Sequence, residues 1–195
     1  HVSRPTARQA LQRLVDRGLL TRRRGVGTIV SPRHVHRPME LTSLMRDLVN
    51  AGHKVHTTIQ CYEVRPASAQ EADILKVAEG TLIVHIERTR FANDEPIAVL
   101  TNLIPTDIAP TMQELESASL YDLMRERGVI LASARQVIGA RSATTKEAKL
   151  LSEHRGAALL TTQRTTYDPS GRIVEYGDHI YRASRYSFEA SLFAQ

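Results

Sequence analysis

Apolar positions change period along the chain. From Ser3 to Asp16 they recur as Ala7, Ala10, Leu11, Leu14 and Val15, the spacing that gives a helix one apolar face. Arg4, Arg8, Gln12 and Arg13 point elsewhere on that helix. Ser3 offers an N-cap hydroxyl, Pro5 is tolerated in a first turn whose N–H groups have no intrahelical partner, and Gly18 closes the helix. Leu20 to Arg23 and Thr28 to Val30 then read as two short strands around Arg24-Gly25-Val26-Gly27, where the glycines supply the turn.

Ser31 to Pro38 is polar and proline-bounded, which predicts a linker. Beyond Glu40 the periods alternate. Thr42 is expected to cap a helix through Leu44, Leu48 and Val49 that Gly52 closes. Strands are expected at Thr57 to Arg65, Leu82 to Phe91, Ile97 to Ile104, Arg135 to Ala140, Ala158 to Tyr167 and Ile173 to Tyr181. Helices are expected at Ala69 to Val77, Leu120 to Arg127 and Thr145 to His154, with turns at Ala92 to Pro96 and Asp168 to Arg172. Tyr186 and Phe188 alternate as inner-face residues of a final strand. Antiparallel hairpins with helices between them predict an α+β domain over 40–195, after a small module at 1–33 and a linker at 34–39.

Charge sharpens that division. Residues 1–33 hold eight arginines against the single acid Asp16, a balance of +7, while the rest of the chain balances at −2. The net +5 therefore belongs to the first module, the footprint of a surface that meets nucleic acid phosphates. A composition of 42% hydrophobic residues allows a real core, and no run of 18 apolar residues is present. A soluble, cytoplasmic, nucleoid-associated protein without membrane contact is expected.

The lone Cys61 has no partner for an internal disulfide and is expected as a buried structural thiol in the run Thr57 to Val64. His34 and His36, and His53 and His56, lack accompanying carboxylates or cysteines at ligand spacing and are read as solvated. No metal and no cofactor are expected.

In the first module, Ser3, Arg4, Thr6 and Arg8 occupy the first turns of the helix, where a recognition helix presents side chains to base edges and phosphates. Arg22, Arg23 and Arg24, followed by Gly25 and Gly27, form a basic hairpin whose small tip allows close approach to an adjacent groove. The run VSRPTARQALQRLVDRGLL followed by TRRRGVGTIV resembles the recognition helix and wing of the GntR family of bacterial winged-helix repressors. That family places two further helices before this point, so the stretch is expected to be the second part of a winged helix-turn-helix domain in a chain that is a fragment.

In the second module, Arg88 and Arg90 stand two apart on one strand and project from the same face. Paired guanidiniums suit a carboxylate or phosphate, and the helix start Thr42-Ser43-Leu44 offers N–H groups to an anion. From spacing alone the two arginines fit an open, solvated sheet face better than a pocket. Glu175 and Tyr181 fit either a site or a hairpin surface. The pieces IERTRFANDEPIAVLTNLIP, SLYDLMRERGV and IVEYGDHIYRASRYSFEASL, in that order, resemble the effector-binding (UTRA) domain of the HutC subfamily, which has a chorismate-lyase-like fold. The resemblance implies that Arg88 and Arg90 line an effector pocket with the helix start at Thr42 and Ser43, and that Ser119, Glu175 and Tyr181 belong to the same neighbourhood. Sugar-phosphate-binding members commonly carry a glutamate near the position of Leu100, which points here toward a more apolar or differently functionalised organic acid as well as a sugar phosphate.

The resulting expectation is a homodimeric regulator, most simply a repressor, whose binding to a double-stranded DNA operator responds to a small anionic effector. The alternative is a chorismate-lyase-like enzyme acting on a small organic anion. It lacks a sequence-evident nucleophile–base pair, since Ser119 has no partner base and Glu175 alone is a weak general base.

Overall fold

A computed structural model describes residues 3–16, 20–23, 27–30, 35–38 and 41–190. Helix α1 spans Arg4–Asp16. Ser3 caps it as expected, accepting the Thr6 N–H at Oγ (3.3 Å) and the Ala7 N–H at its carbonyl (3.0 Å). Strands β1 (Leu20–Arg23) and β2 (Gly27–Val30) pair antiparallel with Arg23 opposite Gly27. Gly27 has φ +99°, a conformation that favours glycine. Gly18, Arg24, Gly25 and His34 lie outside the described residues.

The stretch expected as a linker contains a strand. β3 (Val35–Pro38) pairs in parallel with β10 (Tyr186–Glu189), and Val35 is buried. Composition misled here because the pairing partner lies at the other end of the chain. The next helix, α2 (Leu44–Asn50), is capped by Ser43 rather than Thr42: Ser43 Oγ accepts the Arg46 N–H, while the Thr42 hydroxyl donates to Asp47 at 3.0 Å.

β4 (Val55–Pro66), β5 (Leu82–Ala92), β6 (Glu95–Pro105), β7 (Ser133–Ser142), β8 (Ala158–Tyr167) and β9 (Ile173–Arg182) form one antiparallel sheet in the order β4-β5-β6-β9-β8-β7. The β5–β6 hairpin turns through Asn93 and Asp94, both at positive φ (51° and 66°), as a tight two-residue turn demands. Helices α3 (Ala69–Leu75), α5 (Leu120–Glu126) and α6 (Thr145–Leu150) fall where expected, α6 ending four residues early. Helix α4 (Met112–Ser117) was not anticipated, although Thr111 and Glu114 form the capping box that announces it. It is too short for its period to register.

Apolar clusters cover both faces of the sheet. On one face, α2, β3 and β10 pack over Ala98, Leu100 and Tyr181, and farther along α4 and α5 pack over Val84, Ile86 and Ile104. The opposite face holds α6 against Val99 and Ile180 and α3 against Ile83 and Leu103. Between the two clusters of the first face the sheet turns polar.

A bulge in β4 corrects one expectation. Ile59 is opposite Arg88 and Cys61 is opposite Glu87, so Gln60 is an extra residue that shifts the alternation by one. Ile59 and Tyr62 pack toward α4 and α5, while Cys61 turns to the opposite face and is only half-buried. His53, expected in solvent, has its Nδ1 2.9 Å from Asn93 Nδ2, and His56 stacks on Phe91 with ring centroids 4.4 Å apart.

Candidate effector site

The register of five neighbouring strands lays out the polar patch in rows. One row runs Thr57, Arg90, Ala98, Tyr181, Leu160; the next runs Ile59, Arg88, Leu100, His179, Thr162; a third runs Ile86, Asn102, Gly177, Arg164. Thr166 and Glu175 face each other one step farther on. Helices α2 and α5 close the sides, leaving a cleft over the polar rows. Thr42, Ser43, Leu44, Arg88, Arg90, Ser119, Glu175 and Tyr181, all the effector residues expected from sequence, line this one cleft. Leu100 lies on its floor.

Asn102, Tyr121, Arg164 and His179 also line it and were not singled out. A signal for part of this existed, because the period of two that joins Glu175 to Tyr181 passes through Gly177 and His179.

Both arginines are buried, at 2% exposure each, which removes the solvated-face reading. Arg88 donates from Nη2 to Asn102 Oδ1 (2.7 Å), and Arg90 from Nη1 to Thr57 Oγ1 (2.5 Å). Arg88 Nε and Nη1, Arg90 Nε and Ser119 Oγ are buried and meet no hydrogen-bond partner among the described residues. Burial draws the Arg88 guanidinium down to about 10, against the pull of Glu175 and Tyr121. Burial, with the like charge of Arg88 beside it, draws Arg90 down to about 9. Both remain cationic at neutral pH, so unspent hydrogen-bond donors and positive charge meet in one desolvated space.

Glu175 is fully buried and accepts from Thr166 Oγ1 (2.8 Å), Asn102 Nδ2 (2.5 Å) and Tyr121 OH (3.2 Å). Burial nevertheless raises its pKa, outweighing the three donors and Arg164. Burial, then the neighbouring Glu175, also pushes the Tyr121 hydroxyl upward, so it stays protonated and donates. Asn102 is the relay of this network, bound to Arg88 on one side and Glu175 on the other, with His179 Nε2 3.2 Å from its Nδ2. Gly177 makes that convergence possible. A Cβ there would stand 2.5 Å from His179 Nε2 and 2.7 Å from Glu175 Oε1. The Ser119 hydroxyl meets no hydrogen-bond partner among the described residues, so it lacks the adjacent base that would activate it as a nucleophile.

Residues 50–187 match the model of the UTRA domain, and residues 1–30 match that of the bacterial regulatory proteins of the gntR family. The chain belongs to the GntR family and carries a UTRA domain. It is 35% identical over 190 residues to the HTH-type transcriptional repressor NagR of Bacillus subtilis, covering 96% of this chain and 78% of that protein. It is 27% identical to the histidine utilization repressor of Klebsiella aerogenes, with shares of 96% and 78%. Among solved structures, PhnF from Mycobacterium smegmatis superposes with a TM-score of 0.87 at 26% identity, covering all of this chain and 87% of that one.

As a transcriptional regulator of the GntR and HutC type, the chain has its helix and hairpin in the matched gntR segment. There Ser3 and Thr6 are tied to each other, Oγ to Oγ1 at 2.8 Å, and Arg8 is exposed. Gly27 opens β2. The side chains of Arg4, Arg22 and Arg23 lie outside the described residues, as do Arg24 and Gly25 entirely. No helix among the described residues is long and apolar enough to cross a membrane.

Proposed function

We propose that this protein is a cytoplasmic repressor whose operator affinity is set by a small anionic metabolite held between Arg88 and Arg90. One observation carries the reading: the buried, unsatisfied donors Arg88 Nε and Nη1, Arg90 Nε and Ser119 Oγ border a single cleft. Buried cations with unspent donors are costly, and a carboxylate or phosphate supplies both charge and acceptors. Leu100 and Tyr181 offer apolar surface beside it, which suits an organic acid as well as a sugar phosphate.

The division of labour follows the matched segments. Residues 1–33, with Ser3, Arg4, Thr6 and Arg8 on the helix and Arg22 to Gly27 as the wing, read the operator; residues 40–195 hold the effector. Two copies bind together because a dimer engages two half-sites about one helical turn apart. The effector acts only through a difference in affinity between the operator-competent and incompetent arrangements, about 1.4 kcal/mol for each tenfold change in DNA binding.

The test is operator binding by the complete chain across salt concentrations, with and without a panel of small carboxylates and phosphates. Steep salt dependence is expected from the phosphate contacts, with a shift in affinity by one class of anion. If no anion changes either operator affinity or the thermal stability of the protein, the effector reading fails. Turnover of an anion without DNA binding would support the chorismate-lyase-like alternative instead.

A further inference from the structure

The bulge at Gln60 places Cys61 in a setting that a regular strand would not give it. On the sheet face opposite the effector cleft, Cys61 is opposite Glu87 and Glu63 is opposite His85, two cross-strand pairs two residues apart. Four potential ligands, in the pattern Cys-x-Glu on β4 and His-x-Glu on β5, thereby share one side of the sheet. Cys61 Sγ is 3.7 Å from His85 Nδ1, and one donor atom each from Cys61, Glu63 and His85 lies within 4.8 Å of the others. A tetrahedral zinc ion with ordinary Zn–S and Zn–N bonds sets its sulfur and nitrogen roughly 3.6 Å apart. The Cys61–His85 spacing already suits such an ion, and the Glu63 carboxylate, within 4.8 Å of both, would close in on it.

We propose that Cys61, Glu63 and His85 form a binding site for a zinc-type divalent cation, with Glu87 or water completing its coordination. Thiolate, imidazole and carboxylate together select a borderline-soft ion over magnesium or calcium, which take all-oxygen shells. On binding, a metal–sulfur bond replaces the S–H bond of Cys61, and the proton leaves to water. Arg65 is held mainly by Glu71, through two bonds of 2.6 and 2.8 Å, and stands 3.8 Å from Glu63, while Lys146 lies 3.4 Å from Glu87 and would release it if Glu87 joined the ion. The ion would tie β4 to β5 at the bulge, directly behind Arg88. The site stands independently of the effector reading.

The experiment is a cobalt(II) titration of the tag-free, metal-stripped full chain, followed by absorbance and then by zinc competition. One equivalent should produce a thiolate-to-cobalt charge-transfer band with the visible bands of a four-coordinate ion, and zinc should abolish both. Cys61→Ser should lose the charge-transfer band, and His85→Ala should weaken binding at least tenfold. Glu63→Gln, at an exposed position where folding is not at risk, should weaken it several-fold and serves if either other variant misfolds. Absence of a charge-transfer band in the unaltered chain overturns the proposal. So does a titration that the folded His85 and Glu63 variants leave unchanged, which would mark the contact as a thiol–imidazole hydrogen bond only.

Discussion

Tyr181 lies flat on Tyr186, with ring centroids 4.3 Å apart and an interplanar angle of 17°, and Phe188 meets both rings edge-on. Tyr181 is a wall of the effector cleft, and Tyr186 sits in β10 opposite Val35 of β3. One aromatic stack thus joins the cleft to the strand that follows the hairpin. Replacing Tyr186 by Ala should cost about 3 kcal/mol of stability, the usual penalty for emptying a large buried ring site. It should also weaken anion binding, because Tyr181 loses its backing. Urea denaturation and calorimetric titration check the two effects, and an unchanged denaturation midpoint would show that the stack contributes nothing.

Arg90→Met addresses the buried charge. An unpaired guanidinium is a liability to the empty protein, so its apolar replacement should leave the unliganded denaturation midpoint equal or higher. The rise in melting temperature given by the effective anion should disappear. A variant that is still stabilised to the same degree would remove Arg90 from the site.

Gly177→Ala tests the tightness of the relay. The added methyl meets His179 and Glu175 inside ordinary contact distance, which should cost about 1–3 kcal/mol in overpacking and displace Asn102 from Arg88. Anion affinity should fall more than tenfold in a protein that still folds, read by circular dichroism and titration. Unaltered affinity would mean that the Asn102 network does not position the arginines.

Glu175 gives a pH signature. Its folded pKa is raised by burial, so between the ordinary carboxylate range and that raised value the native state holds a proton that the unfolded chain has released. Stability from this group is complete at low pH and falls as pH rises through the window. Glu175→Gln keeps the shape without the titration, so it should match the parent near pH 4 and become progressively more stable than it toward neutrality. Glu71 and Glu147, held down to about 2 chiefly by their bonds to Arg65 and Arg141, titrate in both proteins and cancel from the difference. A stability difference that stays flat with pH would contradict the assignment.

The helix and hairpin, the hairpin turns and most strands were legible because each is written in local period and turn chemistry. The arginine pair was legible as a pair, but its burial was not, since a period of two does not say which face is covered. Family resemblance supplied that step. Asn102 and His179 escaped notice because they are neighbours only once β6 pairs with β9, 77 residues apart in sequence. Cys61 was misplaced for a different reason: one extra residue reverses every later side chain in its strand, and nothing about Gln60 advertises the insertion. β3 was hidden by polar, proline-bounded composition, which describes a linker and an edge strand equally well.

The parallel pairing of β3 with β10 also orders events in time. Val35 and Tyr186 are roughly 150 residues apart, so at about 5–20 residues per second a ribosome finishes the partner strand on the order of ten seconds after β3. During that interval Val35, Leu44 and Leu48 have no Tyr186 to close over them. The wall of the cleft that Tyr186 backs is therefore the last of the described parts to be completed, and a nascent chain has its gntR segment well before it has a finished cleft.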